Sequence, residues 1–407
     1  MFRKKRQLPI RLVKLVESFA RALVGLVLGL ICALANAAAV DVSRLSGNNM
    51  GMLGLYADVF TEDQAPLGLD AARTLYREGR FTPGVRPVIN FGIGASPVWV
   101  RLGLFNPADG PKNFHATLGM TWIDHLDAYL VSDGGIVVEL HAGDALPGAL
   151  GVVPGIGMGL LLPVPAGHSE LYLRAQTPDP MLLPITLMPE RVLAANERDV
   201  HYVYGMLYGF LLALVVYNCM LFFGLRRRSY LYYALYVLCF IAMHYSYTGH
   251  GFAYLWPDRP DIQRFVIVAF ILIYAASGLL FAIGFLELAQ HATRLYHWVR
   301  GFALAGLLAM ALCIALDSQL AAVLLAFSYL STVTAIMVGL GVYAVLTKRD
   351  AGAYFLAATL FGMLGAAATT TSVWGAIPYV AITYHGIEVG IVIEATAGTG
   401  AGKPSAL

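Results

Sequence analysis

The 407-residue sequence is 58% hydrophobic and only 13% charged, with a mean hydropathy of +0.68. Soluble domains carry about a quarter charged residues, so this composition is typical of a membrane protein. The net charge of +2 conceals an acidic middle, since residues 38–198 hold ten Lys/Arg against sixteen Asp/Glu. That balance argues against nucleic acid as a partner, because phosphate binding needs clustered cations.

The first 37 residues are predicted to be a signal peptide. A basic start, "MFRKKRQLPIRLVK", precedes the apolar run "ALVGLVLGLICALA" at 22–35, and "ANA" at 35–37 fits a small-residue cleavage site. The apolar run is shorter than the roughly 20 residues that a membrane span needs. An uncleaved N-terminal anchor remains the alternative.

Residues 38–198 are predicted to form an exported all-β sandwich, jelly-roll-like in architecture. Short strand-like runs such as "VWVRLGLFN" and "ELYLRAQ" recur between connections rich in Gly, Pro, Asp and Asn. In the first of these runs, alternate residues from Val98 to Leu104 share one apolar face. One short helix is predicted at 69–76. The segment contains no cysteine, so no disulfide is expected in it.

Residues 199–397 are predicted to form an all-α transmembrane bundle of six strong helices and one weak helix. The apolar segments lie near 202–224, 230–248, 265–286, 299–316, 321–346, 352–372 and 380–397. The inner loops of this arrangement hold seven Lys/Arg and the outer loops two, which follows the positive-inside rule and supports export of the preceding domain. Residues 398–407 are predicted to be a short Gly-rich tail.

No cofactor, metal site or catalytic residue is predicted. Gly402 and Lys403 suggest a phosphate-binding loop, but Ala397 and Pro404 occupy the positions where that motif needs Gly and Ser/Thr. A retinal pigment would need a lysine in its last helix, and the seventh segment has none.

The stretch "YGFLLALVVYN...RRRSYLYYALY" resembles the first two spans of the bacterial seven-transmembrane receptors with diverse intracellular signalling modules. The stretches "INFGIGASPVWVRLGLFNP", "DHLDAYLV" and "ELYLRAQTPDPMLLPITL" resemble that family's type 2 extracellular domain. The resemblance implies a periplasmic β-sandwich of carbohydrate-binding type, a seven-helix bundle and a cytoplasmic output module. No kinase, cyclase or phosphatase motif is found in the sequence, so we expect the output domain to be absent and a separate cytoplasmic effector to be a possible partner.

A ligand in the exported domain would be a glycan or another small molecule, held by aromatic faces and hydroxyl-binding polar groups. The candidate residues are Trp99, Trp122, Asp124, Asp127, Tyr129 and Arg174. Each also has a structural interpretation: Trp99 is a typical core tryptophan, and the two aspartates suit a turn before a strand.

Polar residues inside the membrane are costly and are functional candidates. The sequence places Asn218, His385, Glu388 and Glu394 there. Asn218 is expected to bond across helices, and the two glutamates, six residues apart, are expected on different faces of the last helix. His244 and His250 are interpreted as interfacial packing or loop residues.

These observations predict a sensor, not an enzyme, in the bacterial inner membrane with its sandwich in the periplasm. Ligand occupancy would reach the bundle through the connector at 190–201, which lacks a flexible Pro-Gly linker. Two alternatives stay open. One is a carbohydrate-binding or scaffold protein that the bundle merely anchors, and the other is a transporter with an accessory domain.

Overall fold

The computed structural model describes residues 40–42, 53–63, 66–148, 150–348, 352–373, 377 and 381–400. The predicted signal peptide and residues 401–407 of the predicted tail lie outside the described residues. Within them, a β-sheet-rich domain (the β domain, 40–189) precedes a helical bundle.

The β domain consists of short strands, as the alternation of apolar residues predicts. They are β1 (Val40–Asp41), β2 (Ala57–Thr61), β3 (Thr82–Pro83), β4 (Ile89–Ile93), β5 (Val98–Asn106), β6 (Lys112–Leu118), β7 (His125–Ser132), β8 (Gly135–Ala142), β9 (Val152–Val153), β10 (Gly157–Val164), β11 (Gly167–Gln176), β12 (Pro180–Leu183) and β13 (Ile185–Pro189).

The strands form two main sheets that share one core. The larger sheet has the order β3-β2-β5-β11-β7-β8, with β1 paired to β5, and the smaller has the order β13-β6-β10-β9. Strands β4 and β12 form a separate ribbon. The residues of β5 predicted to share an apolar face are buried in this core together with Leu160 and Leu162 of the smaller sheet, which confirms the predicted face of β5.

The opposite face of the larger sheet carries polar and aromatic side chains. Helix α1 (Leu69–Arg77), close to the predicted helix at 69–76, covers part of that face. Leu69 and Ala72 of the helix form a small second core with Trp99 and Tyr172. The sheet is therefore packed on both sides at this point, and a tryptophan on its polar face is buried as deeply as the main core.

The bundle begins without a loop after the last strand. Its helices are α2 (Glu190–Leu225), α3 (Arg228–Tyr247), α4 (His250–Tyr254), α5 (Pro260–Phe285), α6 (Leu288–His291), α7 (Thr293–Ala315), α8 (Gln319–Leu346), α9 (Gly352–Val373), α10 (Ala381–Tyr384) and α11 (Gly386–Gly400). The connector predicted at 190–201 is thus the first three turns of α2, in keeping with its predicted stiffness.

Five helices of the described residues are long and apolar enough to cross a membrane, namely α2, α5, α7, α8 and α9. The predicted set of six strong spans and one weak span is not established. Helix α3 covers the second predicted span, but six of its 20 residues are tyrosines, which lowers its hydropathy. The seventh predicted span is divided between α10 and α11, with His385 at the break.

Candidate functional site

Four of the six predicted ligand residues lie together on the polar face of the larger sheet. Trp99 on β5 pairs with Arg174 on β11, and Arg174 pairs with Asp127 on β7. Tyr129 follows two residues after Asp127 on the same face. Cross-strand partners lie about 5 Å apart, so the strand register alone brings these side chains into contact.

Glu62, at the end of β2, holds this group together. Its Oε1 accepts hydrogen bonds from Trp99 Nε1 at 2.8 Å and from Arg174 Nε at 2.7 Å, and its Oε2 accepts one from Arg174 Nη2 at 2.9 Å. Burial raises the pKa of Glu62, but the hydrogen bonds from Arg174, Leu67 and Trp99 together hold it below its ordinary value. Glu62 therefore stays ionised as the partner of the largely buried Arg174.

The solvent-facing edge of the group is formed by Asp127, Tyr129 and His141. Asp127 Oδ1 lies 2.7 Å from His141 Nδ1, and the imidazole is about half exposed. The Tyr129 ring stacks on Trp99 at a centroid distance of 6.0 Å. We call the whole group the sheet-face cluster: Glu62, Trp99, Asp127, Tyr129, His141 and Arg174.

Trp99 is not available to a ligand, although the sequence made it a candidate. Its side chain is fully buried beneath α1, and its indole N–H is bound to Glu62. The structural interpretation of Trp99 as a core residue is the correct one. Sequence reasoning missed Glu62 and His141 because both join the cluster through long-range strand pairing.

Trp122 and Asp124 lie elsewhere, where the β domain meets the bundle. Trp122 packs against both the β-domain core and the bundle core, and its ring lies 5.1 Å from that of Tyr247 at the end of α3. Asp124 accepts a hydrogen bond from Thr177 at 2.8 Å. The six predicted ligand residues thus belong to two places rather than one.

Buried polar pairs cross the boundary between the β domain and the bundle, which we call the junction. Gln319, the first residue of α8, donates from Nε2 to Asp179 Oδ2 at 2.8 Å. Gln263 of α5 donates to Asp144 Oδ2 at 3.3 Å. A backbone hydrogen bond also crosses the junction: the amide of Gly155 donates to the carbonyl of Thr248 at 2.8 Å. The β domain is therefore held by the outer helix ends as well as by the connector.

The junction carboxyl groups hold protons unusually strongly. Burial raises the pKa of Asp179, the hydrogen bond from Gln319 lowers it, and the nearby Asp124 raises it, which together bring the pKa to about 7. Burial also raises the pKa of Asp144 well above its ordinary value, with added effects of Asp124 and Asp179. The folded protein consequently binds protons at these groups more tightly than the unfolded chain does.

Inside the bundle, Glu388 and His385 belong to one polar network with His244. Glu388 Oε1 lies 3.2 Å from His244 Nε2, 3.2 Å from His385 Nδ1 and 3.4 Å from Tyr204 Oη. His244 is fully buried and its Nδ1 lies 3.0 Å from Tyr208 Oη. The sequence interpreted His244 as an interfacial packing or loop residue and showed no carboxylate partner for it, because that partner lies 144 positions further along the chain.

The remaining intramembrane candidates are Glu394 and Asn218. Glu394 Oε1 accepts a hydrogen bond from Tyr236 at 3.0 Å, so both glutamates of α11 bond to side chains of α3. Two long side chains that diverge around one helix can still reach the same neighbour. Asn218 donates to the carbonyl of Leu214 in its own helix at 2.8 Å, not to another helix as predicted. Among the described residues, no group of three His, Cys, Asp or Glu is arranged to hold a metal ion.

The fold and these sites define a membrane protein with an extracellular β domain. Two family models match the chain: "7TM diverse intracellular signalling" over residues 201–398 and "7TMR-DISM extracellular 2" over residues 54–189. The chain therefore belongs to the seven-transmembrane receptors with diverse intracellular signalling modules and carries a type 2 extracellular domain, as the sequence predicted. The two matched domains are receptor-type, not enzymatic, domains. No curated protein matches the chain.

Proposed function

We propose that the protein is a bacterial inner-membrane receptor whose periplasmic β domain, a jelly-roll-like sandwich, binds a small molecule or glycan and passes the binding event to the helices. The observation that carries this proposal is the junction. A domain that merely hung from an anchor would not need Trp122 in both cores or buried Asp–Gln pairs across the boundary.

The orientation is supported by the distribution of charge. The helix ends far from the β domain carry Arg226, Arg227, Arg228, Arg294, Arg300 and Lys348. An excess of Lys/Arg marks the cytoplasmic side, so the β domain is assigned to the periplasm. A cytoplasmic effector would then read the positions of these inner helix ends.

The ligand is assigned to the sheet-face cluster. Tyr129 offers an aromatic face backed by Trp99, and Asp127 and His141 offer hydroxyl-binding groups at the solvent edge. Glu62 is buried and Arg174 largely buried behind them, and the two fix the positions of these side chains. Stacking on a ring with flanking polar groups is suited to a sugar or a similarly polar small molecule.

The test is a glycan and small-ligand binding screen on the full chain in nanodiscs. We expect saturable binding that Tyr129→Ala and Asp127→Ala weaken by about tenfold or more, the loss expected for one good polar or stacking contact. Asp133→Ala, in the exposed turn after β7, serves as the control and should bind like the wild type. Binding that all three variants retain would refute the assignment to the sheet face.

A further inference from the structure

The ribbon of β4 and β12 ends in an uncharged apolar tip, residues 91–96. The stretch 88–98 contains no Asp, Glu, Lys or Arg, although residues 38–198 carry an excess of acidic residues. Phe91 and Ile93 lie two residues apart on one face of β4, and they are 36% and 37% exposed. The tip therefore presents two large apolar side chains to its surroundings in a stretch without charge.

The tip lies against the outer end of α8. A methyl group added to Gly94 would lie 3.0 Å from Cδ1 of Leu320, the second residue of that helix. The amide of Gly94 donates to the carbonyl of Pro178 at 3.0 Å. The next residue, Asp179, accepts the hydrogen bond from Gln319, the first residue of α8. Both strands of the ribbon thus place the tip where α8 begins.

Leu320 belongs to a surface of α8 that faces lipid. Leu320, Leu324 and Phe327 are all exposed, and their spacing of four and three residues puts them on one side of a helix able to span a membrane. Just before α8, Asp317 is paired with Arg264 at 2.9 Å and is 72% exposed. Exposed charged groups stay out of the hydrocarbon, so this pair marks the headgroup region. Leu320 therefore lies where headgroups give way to hydrocarbon, with the tip beside it.

We propose that the tip inserts Phe91 and Ile93 into the leaflet that faces the β domain. The partner of this surface is the lipid bilayer, because the tip adjoins the lipid-facing side of α8 and lies at headgroup depth. Moving an exposed apolar side chain out of water is favourable, and the tip contains no charged group that would have to lose its hydration. The β domain is then attached to the membrane directly as well as through the junction.

This interaction goes beyond the proposed ligand binding and does not depend on it. A β domain attached at the tip and at the junction has two separate contacts with the membrane-embedded part of the protein. A movement of the domain relative to the helices would consequently change the depth of Phe91 and Ile93 in the leaflet.

The experiment is power-saturation electron paramagnetic resonance on the full chain in nanodiscs, with the native cysteines replaced and one nitroxide label at a time. Oxygen concentrates in lipid, whereas a water-soluble nickel chelate is excluded from it, so the collision rates with the two reagents report depth. Labelled Ile93→Cys is compared with labelled Leu324→Cys on the lipid-facing side of α8. The matched control is labelled Ile136→Cys, the same residue type, 53% exposed, at the end of β8 next to the β7–β8 turn.

We expect the label at position 93 to show the loss of nickel collisions and the gain of oxygen collisions that position 324 shows, and the label at position 136 to show neither. Ser96→Cys provides a second labelled position in the tip should Ile93→Cys fail to fold. Nickel collisions at the tip as frequent as at position 136 would overturn the proposal. Protection from both reagents would overturn it as well, because it would indicate contact with another protein copy. Neither result bears on ligand binding at the sheet-face cluster, which the binding screen tests separately.

Discussion

Trp122 of the β domain packs its ring 5.1 Å from the ring of Tyr247 at the outer end of α3. The indole N–H of Trp122 donates to the carbonyl of Pro180 at 3.1 Å, which fixes the side chain within the β domain. One residue is thus attached to both domains. A displacement of the β domain has to displace Trp122, the end of α3, or both.

The first prediction concerns this contact. Trp122→Ala should lower the free energy of unfolding by about 3 kcal/mol, since it removes a large ring shared by two cores and one hydrogen bond. Trp298→Ala, at a position that is 55% exposed on the bundle, removes the same side chain and should cost less than about 1 kcal/mol. Thermal unfolding of both variants in the same detergent measures the difference, and equal costs would show that Trp122 is not shared.

The second prediction is a pH dependence at the junction. Because the pKa of Asp179 is raised to about 7 in the folded protein, the folded state binds more protons than the unfolded state between about pH 4 and pH 7. Stability should therefore fall as the pH rises through this range, with Asp179 contributing up to about 4 kcal/mol of that loss.

Asp179→Asn should flatten the pH profile, since asparagine keeps the shape and the hydrogen bond to Gln319 without a proton to lose. Part of the slope should remain because the pKa values of Asp124 and Asp144 are raised as well. Asp133→Asn, in the exposed turn after β7, is the control. Unfolding midpoints measured from pH 4.5 to 8 decide the matter, and parallel profiles for the wild type and Asp179→Asn would contradict it.

The third prediction concerns the buried ion pair of the sheet-face cluster. Arg174→Met leaves the Glu62 carboxylate buried without its cation and should cost about 3–5 kcal/mol. Adding Glu62→Gln removes the orphaned charge and should restore part of that loss. Arg198→Met breaks an exposed pair with Asp199 and should cost about 1 kcal/mol or less. Chemical unfolding followed by tryptophan fluorescence compares the three, and a small cost for Arg174→Met would refute the central role given to Glu62.

The fourth prediction concerns the packing of α11, the helix that covers most of the weak seventh segment. A methyl group added to Gly365 of α9 would meet the carbonyl oxygen of Gly386 and lie 2.8 Å from Cα of Gly390. Neither backbone atom can rotate away, so Gly365→Ala should destabilise the bundle by about 1–3 kcal/mol.

Gly339→Ala is the matched control in α8, since a methyl group there meets nothing within 4 Å. It should be neutral or slightly stabilising, because alanine favours the helix over glycine. Thermal unfolding in detergent measures both variants. An unchanged midpoint for Gly365→Ala would mean that α11 does not pack against α9 as described.

The parts of this structure that the sequence predicted are those with local causes. The alternation in β5 revealed its buried face, and the long apolar runs revealed five helices able to span a membrane. The sites depend on pairs that are distant in sequence, such as Gln319 with Asp179 and His244 with Glu388. No period or spacing encodes such pairs, so Trp122 and Asp124 were grouped with the sheet-face residues although they belong to the junction.

The most direct test of the account measures whether the β domain controls the inner helix ends. Pulsed electron paramagnetic resonance would measure the distance between spin labels at positions 225 and 346, with the native cysteines replaced. Both positions are exposed, and they lie at the ends of α2 and α8 far from the β domain. The account predicts that Trp122→Ala, or a ligand found for the sheet-face cluster, shifts the distance distribution between the labels. The account would be contradicted if a folded Trp122→Ala variant and the ligand-bound wild type both gave the same distance distribution as the ligand-free wild type.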